Sequence, residues 1–125
     1  MRSQLLAHAP LVLLLQGEHV FEEVPRGAQT PHVTFGALET RDWSVADQKA
    51  HEHFVTLQVA TNSRSRKLAQ DILAEIEAAL DNAALTLAGH AMVNLRLVFW
   101  AVARARDGET FGATLRFRAA TEPLS

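Results

Sequence analysis

The stretch AMVNLRLVFWAVARARDGETFGATLRFRAATE, Ala91 to Glu122, decides the fold. Two apolar runs flank Arg106-Asp107-Gly108, and the second alternates strictly. Phe111, Ala113, Leu115, Phe117 and Ala119 take one side, and Thr110, Thr114, Arg116 and Arg118 the other. The pattern predicts a long β-hairpin with one face sealed against a core. Its other face carries arginine rather than catalytic residue types, which suggests a part that docks rather than an enzyme.

Two hairpin registers compete. A two-residue Asp107-Gly108 turn sets Phe117 opposite Val98 and Leu115 opposite Trp100, and it turns Leu95, Leu97 and Phe99 away from the core. A three-residue loop with Gly108 left-handed in a bulge instead pairs Leu97 with Phe117, Phe99 with Leu115 and Ala101 with Ala113. Only Val98, Trp100 and Val102 then leave the apolar face, so this register is the expectation. It lines Arg96, Arg104, Arg116 and Arg118 up around Val98, Trp100 and Val102. Arginines ringing an exposed tryptophan resemble the centre of a protein interface, although the N-terminal helix is an alternative cover for that face.

Outward from the hairpin, apolar residues recur at Leu68, Ala69, Ile72, Leu73, Ile76, Ala79 and Leu80. This spacing predicts an amphipathic helix over residues 65–81, capped by Asn62 or Ser63, with Gly89 marking the return to the hairpin. His51 to Thr61 alternates with Val55, Leu57 and Val59 inward. His32 to Thr40 forms a strand opened by Pro31, with Val33, Phe35 and Ala37 on one face. Arg41 to Ala50 is polar apart from Trp43 and reads as a loop or extended hairpin tip. Leucines at 5, 6, 11 and 13–15 suggest a signal-peptide core, but His8 and Pro10 interrupt them and no small-x-small site follows before Glu18. The preferred reading is a short core helix with Pro10 in its first turn and Gly17 just past its end.

The expected fold is therefore α+β in one domain, residues 1–125. A mainly antiparallel sheet of about four strands is packed by one long amphipathic helix and a short N-terminal helix. The chain has 125 residues, 48% hydrophobic and 21% charged, so it can bury a core without staples. Cysteine is absent, which excludes disulfides, thiolate metal sites and a cysteine nucleophile. A formal charge of −2 gives no global pull toward nucleic acid or an anionic membrane.

Catalytic and ligand motifs are sparse. His51 and His53 stand at i and i+2 without a third ligand at a telling spacing, so no metal is expected, and His53 reads as a hydrogen-bonding residue at the sheet edge. Ser63-Arg64-Ser65-Arg66-Lys67 clusters positive charge at a helix start. It reads mainly as a solvated cap with Lys67 relieved by Asp71, and otherwise as a seat for a phosphate or carboxylate. No P-loop, GxGxxG, GxSxG or HExxH occurs, and no cofactor is expected.

The chain resembles the small phage tail-completion proteins, the tail terminator family of long-tailed phages and phage-derived gene transfer agents. The likeness rests on Gly17, the run Val20-Phe21-Glu22-Glu23-Val24-Pro25-Arg26-Gly27-Ala28, Pro31-His32-Val33, Gly36 and Trp43-Ser44. It continues through Glu52-His53, Thr56-Leu57-Gln58-Val59, Leu87-Ala88-Gly89-His90, Asp107-Gly108, Gly112 and Leu115-Arg116-Phe117-Arg118-Ala119. It implies a non-enzymatic subunit, assembled in the bacterial cytoplasm and carried in the released virion or phage-like particle. A homo-hexameric ring would cap the head-proximal end of the tail tube, stop its growth and join the tail to the head-side stopper or connector. DNA would pass through unread.

For that role the subunit interface is assigned to Arg96, Val98, Trp100, Arg104, Arg116 and Arg118. The contact with tube or connector is assigned to Arg41, Asp42, Trp43 and Asp47. Two other classes stay open: a small α+β ligand-binding or enzymatic domain, and a nucleic-acid-binding module using the arginine face.

Overall fold

The computed structural model describes residues 2–23, 25–27, 29–42, 51–81 and 90–123. The elements run α1 (Arg2–Ala7), α2 (Ala9–Leu15), β1 (Val20–Phe21), β2 (His32–Asp42), β3 (His51–Ala60), α3 (Arg66–Leu80), β4 (His90–Arg104) and β5 (Phe111–Pro123). The architecture is α+β. One sheet of five strands has the order β1-β2-β3-β5-β4, with β1 parallel to β2 and every other pairing antiparallel. The strand beyond the expected four is β1, a two-residue addition to the β2 edge.

The three helices cover one face of the sheet. From α3, Ala69, Ile72, Leu73, Ile76 and Leu80 are buried, against Val55, Leu57 and Val59 of β3 and Ala113, Leu115, Phe117 and Ala119 of β5 in one core. Helical spacing on α3 and period-two spacing on the strands thus meet along one apolar seam. The N-terminal leucines join it. Leu5, Leu11 and Leu15 are fully buried, and the apolar start of the chain packs as core. Pro10 sits in the first turn of α2, as expected. At its other end Gln16 takes the left-handed conformation (φ 62), while the Gly17 N–H reaches the Val12 carbonyl at 3.1 Å. That arrangement satisfies the last carbonyls of the helix.

Three local expectations are corrected. The cap of α3 is Ser65, whose Oγ accepts from the Lys67 N–H at 3.2 Å, and not Asn62 or Ser63. Ser63 Oγ instead accepts from the Ser65 N–H, and Thr61 Oγ1 from the Ser63 N–H. Successive hydroxyl turns therefore carry the chain from β3 into the helix. On β2, a register shift between Phe35 and Leu38 puts Leu38 rather than Ala37 opposite Val55; one extra residue resets the alternation. His53 is not at an edge, because β3 lies between β2 and β5, with Thr40 and Ala119 opposite it.

The hairpin uses both candidate registers. From Phe99 to Arg104 the pairing is that of the rejected short turn, with Trp100 opposite Leu115 and Val102 opposite Ala113. From Leu95 to Leu97 it is the favoured one, with Leu97 opposite Phe117. A bulge at Val98 absorbs the difference of one residue. The connection is wider than expected. Ala105 and Thr110 close it, the Ala105 N–H donating to the Thr110 carbonyl at 2.7 Å, and Gly108 is left-handed within it (φ 72). Asp107 braces this turn, its Oδ1 accepting the N–H groups of Glu109 and Thr110, both at 2.9 Å.

Candidate functional site: the edge of strand β4

The bulge divides the proposed strip between two faces. Directly opposed residues of an antiparallel pair share a face. Arg96 opposes Arg118 and Phe99 opposes Arg116, which puts these four on the side away from the helices. Trp100 opposes Leu115 and Arg104 opposes Phe111, and both Leu115 and Phe111 are buried in the core. Trp100 and Arg104 therefore belong to the helix side. The expectation that Arg96, Trp100, Arg104, Arg116 and Arg118 share one face is corrected by the inserted residue at Val98.

Two of the four arginines are held in ion pairs within the chain. Arg118 Nε lies 2.6 Å from Glu52 Oε2, with the two side chains 33% and 20% exposed. The Arg116 guanidinium lies over the Phe54 ring, 4.5 Å from its centroid, and its Nη2 reaches Glu39 Oε2 at 3.1 Å. Glu39 is directly opposite Phe54, so the arginine crosses β3 along the ring to reach β2. Beside this row Thr114 Oγ1 donates to Gln58 Oε1 at 2.8 Å. The outer face is thus a laced polar surface, and not a set of guanidiniums held in reserve. Arg104 is also engaged. It stacks on Phe111 at 5.3 Å, with Arg66 approaching the same ring at 5.4 Å, and it donates to the Gly108 carbonyl. Among the described residues no ion pair holds Arg96, and it is exposed.

What stands exposed is apolar. Val98, Phe99 and Trp100 are 50%, 52% and 57% exposed, three consecutive large side chains on an outermost strand. Phe99 projects on the arginine side and Trp100 on the helix side, with Val98 at the bulge just before them. The patch wraps around the rim of the sheet. Just before it, the Leu97 N–H donates to Asp81 Oδ1 at 3.0 Å, which ties the end of α3 to the strand and leaves the following residues uncovered. Natural sheets usually protect such an edge with charge, proline or a covering element. Contiguous exposed apolar surface of this kind makes the rim the candidate interaction site. Burying what these three side chains expose, on the order of 300 Å², is worth about 8 kcal/mol before the costs of association.

Sequence reasoning missed Phe99, which it turned inward. The signal was present: each uniform register strands three large apolar residues on the polar face, and a bulge between the two is the remaining solution. Of the other assigned residues, Arg41 and Asp42 are the last residues of β2, opposite Glu52 and His51, and not part of a loop. Trp43 and Asp47 lie outside the described residues.

The cluster at the start of α3 behaves as a cap. Lys67 Nζ meets Asp71 Oδ2 at 2.9 Å, and Arg64 lies 3.6 Å from Glu109. Among the described residues no group of three His, Cys, Asp or Glu side chains is placed to hold a metal ion, and no helix is long and apolar enough to cross a membrane.

Among the described residues, then, a small α+β fold exposes an apolar strand edge beside a face whose Arg116 and Arg118 are held in internal ion pairs. Residues 1–122 match the model of the family described as tail completion protein gp17, and the chain belongs to that family. It is similar to a chain in a solved structure of the virion of a native gene transfer agent particle, at 27% identity and a TM-score of 0.86. That match covers 96% of this chain and 90% of the other. No curated protein matches it. The chain is a structural component of a phage-type tail.

Proposed function

We propose that this protein forms a ring at the head-proximal end of a tail tube, ends growth of the tube and joins the tail to the head-side stopper or connector. The observation that carries the reading is the apolar rim Val98-Phe99-Trp100 on the outermost strand of a tail completion protein. A ring subunit contacts its neighbours through unlike surfaces, and the contact closes only if the rotation between subunits does. The rim supplies one of those surfaces. Arg96 extends it, and Arg116 and Arg118 brace the adjoining sheet face through Glu39 and Glu52.

The axial contacts, with tube on one side and stopper or connector on the other, fall to other surfaces. The connection from β2 to β3, which Arg41 and Asp42 lead into and which holds Trp43 and Asp47, is the candidate. A hexamer is the assembly that the family resemblance implies. DNA would pass through its lumen, and a net charge of −2 suits a passage that must not retain it. Assembly would take place in the bacterial cytoplasm before release of the particle.

The test is deletion of the coding sequence from the producing phage or gene transfer agent, followed by electron microscopy of the tails. Overlong or headless tails, restored to normal by the wild-type chain, support the reading. Joined particles with tails of normal length in the deletion contradict it.

A further inference from the structure

A second exposed apolar site lies on the helix layer. Leu13 of α2 is 78% exposed. It borders a shallow groove between α2 and α3 lined by Pro10, Leu13, Leu14, Asp71, Ala74 and Glu75. The large apolar residues that stand exposed among the described residues are Leu13 and the trio Val98, Phe99 and Trp100. The two sites differ in charge. Asp71 and Glu75, one helical turn apart, give the groove an acidic wall. Lys67 occupies Asp71 Oδ2 and His8 occupies Glu75 Oε2. The rim on β4 carries Arg96 and, past Trp100, Arg104.

The two sites are also distinct surfaces. α2 packs on α1 and α3, and α3 lies over β3, β5 and β4, so the groove belongs to the helix layer and the rim to the outermost strand.

We infer that the rim of β4 docks into the α2–α3 groove of a second copy of this chain. Trp100 and Phe99 would lie against Leu13, Leu14 and Pro10, with Arg96 toward Asp71 and Glu75. This inference rests on the ring reading and names the second surface that the ring requires. A contact between two β4 rims would bring Arg96 against Arg96, and like charges across an interface oppose association. Rim to groove joins opposite charges and runs head to tail from copy to copy, the pattern that closes a ring.

The absence of cysteine makes the test direct. Leu13→Cys and Trp100→Cys are prepared singly and together, with unfolding curves confirming that each variant folds, since both side chains are exposed. Each is oxidised mildly, both as concentrated protein and within assembled particles. The docking mode predicts a ladder of disulfide-linked oligomers from the double variant. It also predicts linked dimers from an equimolar mixture of the single variants, and none from either alone.

Dimers from Trp100→Cys alone would overturn the inference in favour of a symmetric rim-to-rim contact. Oligomers seen by light scattering, or chain present in particles, without a cross-link between positions 13 and 100 would overturn it while leaving the ring reading standing. A chain that stays monomeric in solution and is missing from particles would sink both.

Discussion

Trp100 lies directly opposite Leu115 across the β4–β5 ladder, yet Leu115 is fully buried and Trp100 is 57% exposed. Both belong to the helix side of the sheet, so face does not account for the difference. Position does. β5 lies inside the sheet, beneath α3, and β4 is its outermost strand, with α3 attached to it at Leu97 through Asp81. Trp100 lies past the bulge, beyond that attachment.

Trp100→Asp should therefore leave the monomer folded, at a cost of about 2–3 kcal/mol for the part of the indole that is buried. It should abolish self-association, read by light scattering, and yield tails of uncontrolled length. Loss of cooperative unfolding in this variant would show that the indole is part of the core.

Phe117→Ala should behave in the opposite way. Phe117 is the largest fully buried side chain among the described residues and sits mid-strand between β3 and β4. Truncation should cost roughly 3–5 kcal/mol, a large share of the roughly 5–15 kcal/mol typical of a domain. Urea denaturation provides the measurement, with a clear drop in midpoint expected.

Gly112→Ala should destabilise through sterics alone. A Cβ at this position would stand 2.5 Å from the Val59 carbonyl oxygen, a backbone atom of the neighbouring strand that cannot swing aside. Gly108→Ala has open space but a left-handed backbone (φ 72), and its cost should be smaller, about 1 kcal/mol. Thermal unfolding of the two variants should rank Gly112→Ala as the worse.

The Arg118–Glu52 pair is short and partly shielded. A double-mutant cycle with Arg118→Met and Glu52→Gln should return a coupling of about 1 kcal/mol, at the upper end for surface pairs. The same cycle on Lys67 and Asp71, whose side chains are 80% and 43% exposed, should return less.

Asp107 supplies the pH dependence. The N–H of Thr110, then that of Glu109, then the Thr110 hydroxyl favour its ionised form and hold its carboxyl below the ordinary value of 3.8. A lowered folded-state pKa means that the contribution to stability is present above the unfolded value and is lost as pH falls through the folded one. An NMR titration of the Asp107 carboxyl should give a midpoint below 3.8, and Asp107→Asn should remove that component of acid sensitivity. A midpoint at or above the ordinary value would contradict the bracing of the turn.

Much of this was legible in the sequence. The core residues of α3, β3 and β5 follow from periodicity alone, because each element buries one face and its apolar residues must recur at the period of that element. Pro10 and the Asp107-Gly108 turn announced themselves through backbone chemistry. The pairing of β4 was not legible as a single choice. Hydrophobic pattern ranks uniform registers, whereas a one-residue bulge lets a strand take the better half of each. Phe99 and Trp100 exchanged faces on that account. The partners of Arg116 and Arg118 were hidden for a different reason. Glu39 and Glu52 precede them by 77 and 66 residues and meet them only after the sheet has formed.

The most direct test of the central claim is a cryo-electron microscopy reconstruction of the assembled particle at a resolution that shows side chains. The account predicts this chain in a closed ring between tube and head, with Val98, Phe99 and Trp100 buried at each boundary between subunits. A reconstruction that places the chain elsewhere in the particle, or leaves that strand edge facing solvent, would contradict it.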